Sequence, residues 1–558
     1  MTRVDRRRFV AGALGAAALL ASGCTNPGTG PLREPPTSGD PGVPGTSSTS
    51  EPAPAAGGAA EPGPLDPPPD PGLGRDPFTL AVASGDPLPD GVVLWTRLAT
   101  DPQAADGNGG MPGGAVPLLW EVATDEHFDR PVAAGLVSAA PEHGHTVHVE
   151  VTGLSPDRWY AYRFRIGDWA SPVGRTRTAP APGAANGPLR LAVGSCQRWE
   201  SGYYTAYPHL VADRPDVVVW TGDYIYADSD AGPGGGPREV AGGEATTLAD
   251  YRNRYAQYRS DPGLRDAHAA CPWIVTWDDH EVEDNYAGLV PRDGASDDDA
   301  AEFAARRDAA YQAWWEHMPV RLPPPTEGGA PIYRSVAWGR LAQFIVLDGR
   351  QYRSDQPCGD GFVRSCAGRD DPDATMLGAE QEAWLDGRFA AAAAEGVGWT
   401  VLVNQVLMTE FEVPAGGGDV QINADAWDGY PEARRRLLEG ARAAGAPNLV
   451  VLTGDLHCSI VGDLRLDGAT VGSEFLGPSI SSPFLEALAA QLPFAPLVLS
   501  QVKLAQGTSR GYLSCTVDQS RWRTDYRWVR TVARPESDLA DDGPSYVVEA
   551  GTPGARRA

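Results

Sequence analysis

The chain lacks an excess of positive charge and, beyond its first residues, has no long apolar run. Acidic residues outnumber Lys and Arg by 73 to 46 among 558 residues, which gives a formal net charge of -27. Such a chain repels nucleic acid and anionic membranes at long range, so we expect no nucleic-acid-binding surface. No later segment is long and apolar enough to cross a bilayer. The acidic excess suits a protein that holds multivalent cations, although a solvated acidic surface gives the same balance.

The N-terminus has the features of an export signal. Arg6-Arg7-Arg8-Phe9 precedes an apolar stretch at 10–21 that is too short to span a bilayer. Twin arginine before such a stretch predicts a Tat signal, although a Sec signal with a basic start has a similar composition. The end of segment 1–24, Leu-Ala-Ser-Gly-Cys, resembles a lipobox, which makes Cys24 a candidate lipid anchor. We expect the Tat translocase as a partner, and an extracellular or cell-surface location, or a periplasmic one in a Gram-negative cell.

Cysteine is scarce, and its number is odd for an exported protein. The chain has seven cysteines. Cys358 and Cys366 share a Gly-rich loop and are predicted to form a disulfide in an oxidising compartment. Three others lie in apolar or strand-like contexts and are expected to be ordinary core thiols: Cys271, Cys458 and Cys515.

Two segments lack the side chains that a folded domain needs. Residues 25–75 are rich in Pro, Gly, Ser, Thr and Ala and have almost no aromatic or large aliphatic residues. They cannot bury enough surface to fold, so we predict a disordered linker. Residues 536–558 contain Gly, Pro and Asp with a terminal Arg pair, and we predict a disordered tail there.

Residues 76–180 are predicted to form an all-β sandwich. Short alternating apolar runs recur between turn residues at 78–82, 91–97, 118–122, 145–151 and 159–166. Segment 151–164 resembles the tyrosine-corner region of fibronectin type III sandwiches, where a tyrosine hydroxyl bonds back to the backbone. An Ala-Pro-Ala-Pro run at 179–182 marks the domain boundary.

Residues 188–535 have the alternation of buried strands and helices that is typical of an α/β fold. The predicted strands are 189–193, 217–220, 273–277, 344–347, 400–403 and 449–452, and helices are predicted at 380–395 and 431–444. We find no repeat at the periods of solenoid proteins.

Polar clusters follow five of these six strands. They are Gly-Ser-Cys-Gln at 194–197, Gly-Asp-Tyr-Ile-Tyr at 222–226, Asp-Asp-His-Glu at 278–281, Asn-Gln at 404–405 and Gly-Asp-Leu-His at 454–457. Because ligands of open α/β sheets bind beyond the carboxyl ends of the strands, we expect these side chains to converge. Thiolate, phenolate, imidazole and carboxylate groups together suit iron, whereas oxygen ligands alone suit Ca²⁺.

Each cluster also has an ordinary explanation when it is taken alone. Cys196 after a strand is more often a core thiol, the Asp279-His280 pair could cap a helix, and Tyr226 could simply pack. The joint occurrence of ligand-type residues at five strand ends favours a metal site.

These motifs, in this order, resemble those of the PhoD-like alkaline phosphatases. That family belongs to the calcineurin-like metallophosphoesterases and is close to the purple acid phosphatases and the iron-dependent phospholipase D enzymes. The resemblance covers about residues 76–535. It implies a two-sheet α/β sandwich preceded by a fibronectin type III-like domain.

The resemblance also implies a ligand set. Asp223 would bridge two metals. Ferric iron would be held by Cys196, Tyr226 and His457, and a second metal, Ca²⁺, by Asp279, Asn404 and Asp455. His280 aligns with the catalytic histidine of the family.

The implied mechanism is attack by a hydroxide that two metals activate. His280 would contact the substrate phosphate or protonate the leaving alkoxide. Arg350 and Arg353 follow the strand that ends near Asp348 and could bind phosphate through paired hydrogen bonds, although ion pairs elsewhere would explain them as well.

Three functions remain open at this point. The first is an exported phosphomonoesterase and phosphodiesterase of the alkaline phosphatase D type that acts on phosphate esters. The second is a phospholipase D that acts on phospholipid headgroups. The third, from another class, is a surface-displayed binding protein with a structural metal domain.

Overall fold

The computed structural model describes residues 65–185, 187–229, 236–292, 294, 300–326, 328–416 and 419–558. The predicted Tat signal, the candidate lipid site at Cys24 and most of the predicted linker lie outside these residues. Among the described residues, no helix combines the length and the apolar character that crossing a membrane requires.

The N-terminal region is all-β, as its alternating apolar runs predict. Its strands are β1 (Val82–Leu88), β2 (Gly91–Arg97), β3 (Val116–Ala123), β4 (Pro131–Ala139), β5 (Thr146–Val151), β6 (Trp159–Ile166), β7 (Trp169–Ala170) and β8 (Gly174–Arg177). The predicted tyrosine corner is present, since the Tyr160 hydroxyl accepts a hydrogen bond from the Ser155 amide at 2.9 Å. The first predicted strand was misplaced: Phe78 is buried, but the strand begins only at Val82.

The end of the predicted linker is ordered, which corrects the boundary at residue 75. The carbonyl of Pro68 accepts a hydrogen bond from the Gly167 amide at 2.7 Å. The Asp70 carboxylate accepts one from Trp169 Nε1 at 3.2 Å. These polar contacts need no large apolar side chain, so composition alone could not reveal them.

The second region alternates strands and helices as predicted. Its strands are β9 (Leu189–Gly194), β10 (Val217–Thr221), β11 (Trp273–Thr276), β12 (Arg334–Trp338), β13 (Ala342–Val346), β14 (Phe362–Arg364), β15 (Trp399–Val403), β16 (Val413–Gly416), β17 (Asp419–Asn423), β18 (Leu449–Thr453), β19 (Ser459–Leu466), β20 (Ala469–Leu476), β21 (Val502–Gln506), β22 (Arg510–Val517), β23 (Arg521–Val529), β24 (Ser545–Glu549) and β25 (Thr552–Arg557). The α-helices are Tyr207–Ala212, Leu248–Arg259, Pro262–Ala270, Ala300–His317, Ala379–Ala394, Pro431–Ala444, Glu486–Ala489 and Ala495–Val498.

Two large sheets form the α/β sandwich. One has ten strands in the order β25-β24-β23-β22-β9-β10-β11-β1-β2-β5, and the other has seven in the order β12-β13-β15-β18-β20-β19-β21. A single apolar cluster joins their inner faces and includes Val219 from β10 and Val401 from β15. Aromatic and aliphatic side chains of the helices cover the outer faces, such as Tyr255 on one sheet and Phe389 on the other.

The N-terminal region shares a sheet with the region that follows it. Strand β1 pairs in parallel with β11, with Gly85 opposite Trp273, and β2 and β5 extend the same sheet. Strands β3, β4, β6, β7 and β8 form the opposing sheet. The predicted boundary at 179–182 is therefore a chain connection between regions that one continuous sheet unites.

The predicted disordered tail is wrong. Residues 545–557 form β24 and β25 at the edge of the ten-stranded sheet, and Val548 and Ala555 are buried in the inter-sheet core. Strand β24 is a short apolar run, Tyr-Val-Val, between Ser545 and Glu549, and the Gly and Pro residues around it dominate the composition of the segment. The predicted disulfide between Cys358 and Cys366 is present, and the thiols of Cys271, Cys458 and Cys515 are buried as predicted.

Candidate metal centre

The predicted side chains converge because their strands are parallel. Strands β9, β10 and β11 run in parallel in one sheet, and β15 and β18 do so in the other. The predicted side chains follow the last residues of these five strands: Cys196, Asp223, Asp279, Asn404, Asp455 and His457. The carboxyl ends of two facing sheets thus supply one site, as expected for α/β folds.

The first candidate metal group consists of a thiol, a carboxylate and an imidazole. Ligand atoms of Cys196, Asp223 and His457 all lie within 4.8 Å of one another. The hydroxyl of Tyr226 joins them: it donates to Asp223 Oδ2 at 2.9 Å and lies 2.8 Å from His457 Nε2. The four residues predicted to hold iron are therefore in mutual reach.

His457 is oriented as a metal ligand needs. Its Nδ1 donates to the carbonyl of Pro483 at 2.9 Å, which leaves Nε2 as the acceptor that faces Tyr226 and Asp223. Burial lowers the pKa of His457 to about 3, so the imidazole is neutral at physiological pH. A neutral ring with a free Nε2 lone pair is the form that binds metals.

The second candidate group shares Asp223 with the first. Ligand atoms of Asp223, Asp279 and His280 lie within 4.8 Å of one another. Burial, followed by the charge of Asp279, raises the pKa of Asp223 well above its usual value. Asp223 and Asp279 are thus together, but this group contains His280 and neither Asn404 nor Asp455, which were predicted as ligands of the second metal.

Several buried carboxylate oxygens of the site lack a hydrogen-bond partner among the described residues. They include Asp223 Oδ1, Asp279 Oδ1 and Asp455 Oδ2. Burial, followed by the charge of Asp278, raises the pKa of Asp455 well above its usual value. Unpaired buried carboxylates are costly unless protons or cations neutralise them, so this donor set fits multivalent cations.

Asp455 and Asn404 lie outside the two tight groups. The Asp455 carboxylate belongs to neither group, while its backbone carbonyl lies 3.9 Å from Cys196 Sγ. The Asn404 side-chain oxygen accepts a hydrogen bond from Trp427 Nε1 at 3.2 Å. A carbonyl oxygen has a second lone pair, so this bond leaves Asn404 able to bind a cation.

The backbone at the site is held in an unusual conformation. Left-handed φ angles occur at 57° for Cys196, 56° for Asp223, 67° for Asp455 and 54° for His457. Such residues store about 1–3 kcal/mol of strain each and cluster at functional sites. Glycine is required at position 222, where the backbone passes close to Asp278: a Cβ there would lie 2.4 Å from Asp278 Cβ.

His280 lies between two carboxylates. Its Nδ1 is 3.1 Å from Asp228 Oδ1, and its Nε2 is 3.6 Å from Asp284 Oδ1. Burial alone lowers the pKa of His280, but the charges of Asp279 and Asp223 outweigh it and raise the pKa well above its usual value. The ring centroid lies 4.1 Å from that of Tyr226, so His280 is placed at the metal centre as predicted.

Arg350 does not have the substrate-contacting position predicted for it. Its guanidinium is 0% exposed and pairs with Asp278 and Asp425, at 2.8 Å for Asp425 Oδ1, and it lies 3.7 Å from Asp279 Oδ1. Arg353 is also buried and pairs with Asp425. Two carboxylates, Asp278 and Asp425, hydrogen-bond to the Arg350 guanidinium, and the charge of Asp279 lies close to it. This burial favours a role in positioning Asp279 over direct phosphate binding.

We expect Arg350→Met to destabilise the protein and weaken metal binding. Removing one partner of a buried ion network leaves the others uncompensated and costs about 3–5 kcal/mol of unfolding free energy. Chemical denaturation and elemental analysis measure the two effects. The control is Arg252→Met, which breaks a buried salt bridge of 2.6 Å between Arg252 Nη2 and Glu316 Oε1. It should lower stability but keep the metal content. Equal metal content in both variants would contradict the positioning role.

Residues that the sequence did not single out hold the ligands in place. The Glu281 carboxylate accepts hydrogen bonds from the amides of Asp223 at 3.1 Å and Asp278 at 2.9 Å, which ties two ligand loops together. The Ser482 hydroxyl donates to the Tyr226 hydroxyl at 2.8 Å. Glu281 sits in the third motif and could have been suspected, whereas Ser482 and Asp425 lie in no recognisable pattern.

Comparison with known proteins agrees with the order of the motifs. The sequence model of the family described as PhoD-like phosphatase matches residues 191–526, and that of its N-terminal domain matches residues 65–180. The chain belongs to the PhoD-like phosphatase family. The second match begins at residue 65, where the described structure also begins.

Two proteins similar to this chain support the assignment to the PhoD-like phosphatases. The chain is 43% identical over 501 residues to alkaline phosphatase D of Bacillus subtilis (strain 168), covering 87% of this chain and 83% of that protein. It is similar to a solved structure described as "Structure of PhoD", with a TM-score of 0.82 and 42% identity, covering 88% of this chain and 93% of the other. The protein is a phosphoesterase, which overturns the alternative of a binding module without activity.

Proposed function

We propose that this phosphatase is an exported, metal-dependent enzyme that hydrolyses phosphomonoesters and phosphodiesters at a centre of two metals. The sharing of Asp223 between two groups of ligand atoms carries the proposal. Cys196, Tyr226 and His457 would hold Fe³⁺ beside Asp223, and Asp279, Asn404 and Asp455 would hold Ca²⁺ on its other side.

The chain itself provides binding, orientation and a proton. The bound cations would supply positive charge to the phosphoryl oxygens and lower the pKa of a nucleophilic water. Asp228 and Asp284 orient the two nitrogens of His280. His280, as imidazolium, is suited to donate a proton to the leaving alkoxide. Burial of the ligands excludes bulk water and strengthens these electrostatic interactions.

Export through the Tat route stays a proposal that rests on the N-terminal sequence. The twin arginine at 6–7 and the short apolar stretch after it support export, and Cys24 supports a lipid anchor. A Tat signal would let the metal centre be loaded in the cytoplasm before export. A Tat-deficient host that still exports the protein would contradict this route.

Substrate assays test the function directly. Nitrophenol release should be measured from p-nitrophenyl phosphate and from its bis-ester, and choline release from phosphatidylcholine, with metal analysis of the same sample. We expect hydrolysis of the first two. A clear preference for phosphatidylcholine would instead favour the phospholipase D alternative, and the absence of phosphate ester hydrolysis would refute the proposal.

We expect the purified enzyme to contain iron and to be coloured, and Tyr226→Phe to remove the colour. The Tyr226 hydroxyl lies at the first ligand group, where a phenolate bound to ferric iron absorbs visible light. Visible absorption and elemental analysis measure this. Tyr526→Phe also removes one buried hydroxyl, which donates to Ile460 at 2.6 Å, and should keep the colour. A colourless, fully active wild-type protein without iron would rule out the assignment.

A further inference from the structure

An apolar pocket of about 50 Å³ is lined in part by Leu456, the residue before His457. Its walls come from strands β16, β17 and β19, from the loop before β19 and from the segment that begins at Phe484. Aromatic and aliphatic side chains dominate the lining, among them Phe411, Val413, Ile422, Leu456 and Phe484. None of these side chains serves the metal centre described above.

The pocket adjoins the metal ligands through the chain itself. Leu456 lines the pocket, and the next residue in the sequence, His457, belongs to the first ligand group. Phe484 lines it as well, and the preceding residue, Pro483, accepts the hydrogen bond from His457 Nδ1 at 2.9 Å. Segments 456–457 and 483–484 therefore connect the wall of the pocket to the surroundings of His457.

One polar side chain interrupts the apolar lining. Gln421 is 3% exposed, and its Oε1 has no hydrogen-bond partner among the described residues. Strand β17 presents it opposite Val413 of β16. A polar or charged substituent would lose its hydrogen bonds to water here and could form new ones only with this single amide. An alkyl group has no such hydrogen bonds to lose.

We propose that this pocket receives an apolar ester group of the substrate, so that the enzyme prefers phosphodiesters in which one alcohol is a short alkyl alcohol. The inference rests on the proposed function, because it assumes that the phosphate binds at the metal centre. It adds a specificity determinant that the metal ligands themselves do not supply. The small volume limits the preference to a few carbon atoms.

A homologous series of substrates tests the inference. Methyl, ethyl, propyl and butyl p-nitrophenyl phosphates share one leaving group, and the 2-methoxyethyl ester is a polar counterpart of the butyl ester. Burying one methylene group changes kcat/KM by up to about fourfold. We expect kcat/KM to rise about tenfold or more from methyl to propyl and then to level off, with the methoxyethyl ester clearly below the butyl ester.

Two variants of the pocket should change this dependence in opposite directions. Val413→Phe fills the pocket and should flatten the dependence on chain length while hydrolysis of the methyl ester stays unchanged. Gln421→Leu makes the lining fully apolar and should make kcat/KM depend more steeply on chain length. Val173→Phe introduces the same side chain at a surface position, 38% exposed, and should behave as wild type. Thermal unfolding verifies that each variant is folded.

The outcomes separate the inference from the proposed function. If kcat/KM of the wild type did not change with alkyl chain length, or changed equally in all the variants, the pocket would have no role in specificity. Ester hydrolysis itself would persist in that case. Failure to hydrolyse any of the esters would overturn the proposed function, and this inference with it.

Discussion

Asp223→Asn should lower kcat/KM by about three orders of magnitude or more and reduce the content of both metals. Asp223 is the residue shared by the two ligand groups, and it also accepts the hydrogen bond of the Tyr226 hydroxyl. A single change therefore weakens both sites. Metal ions supply several kcal/mol of transition-state stabilisation, and each 1.4 kcal/mol corresponds to about tenfold in rate.

The same substitution should leave the metal-free protein at least as stable as the wild type. Burial and the nearby Asp279 raise the pKa of Asp223, so ionisation of this group opposes folding as the pH rises. Asparagine has the same shape and no charge. Thermal unfolding after metal removal measures this effect, and steady-state kinetics with elemental analysis measure the loss of function.

A matched control separates loss of charge from loss of a ligand. Asp463 is 6% exposed and pairs with Lys503 at 2.9 Å, in strand β19 and outside both ligand groups. Asp463→Asn should keep kcat/KM and both metals. If Asp223→Asn retained full metal content and more than about a tenth of the activity, the bridging assignment would be wrong.

Brief treatment with EGTA should abolish turnover and leave the colour of the enzyme intact, and added Ca²⁺ should restore activity. As anions, Cys196 and Tyr226 would hold iron in the first site through bonds that exchange slowly. The proposed second site would use oxygen donors from Asp279, Asn404 and Asp455, which would favour Ca²⁺ and release it readily. Absorbance and rate should be followed in the same sample. Activity that is indifferent to EGTA, or colour lost together with activity, would refute this division.

Asp455→His tests the same division from the side of the protein. The buried Asp455 carboxylate has one oxygen without a hydrogen-bond partner among the described residues. An imidazole in its place gives a nitrogen donor, which suits Zn²⁺ or Mn²⁺ better than Ca²⁺. After EGTA treatment, we expect the Asp455→His variant to recover activity with Zn²⁺ or Mn²⁺ rather than with Ca²⁺. The treated wild type should recover activity with Ca²⁺ rather than with Zn²⁺ or Mn²⁺.

Local patterns predicted the elements of this fold well where side chains alternate or repeat with a clear period. The helix Pro431–Ala444 and strand β6 have the predicted bounds, because the apolar periodicity and the flanking Pro and Gly residues are local properties. The edge strands at 545–557 were missed, because pairing with β23 rather than composition orders them. The union of the N-terminal region with the ten-stranded sheet also depends on a distant pairing, that of β1 with β11.

The sequence by itself predicted which side chains meet, since the motifs after the parallel strands contain Cys196, Asp223, Asp279 and His457 and parallel strands end at a common edge. Tertiary structure alone revealed the surroundings of Arg350, which is buried in ion pairs with Asp278 and Asp425 and lies near Asp279. It also decided which residues support the ligands, since Asp425 and Ser482 reach the site from far along the chain. Charge pairing and burial depend on which chain segments meet, and no local pattern records that.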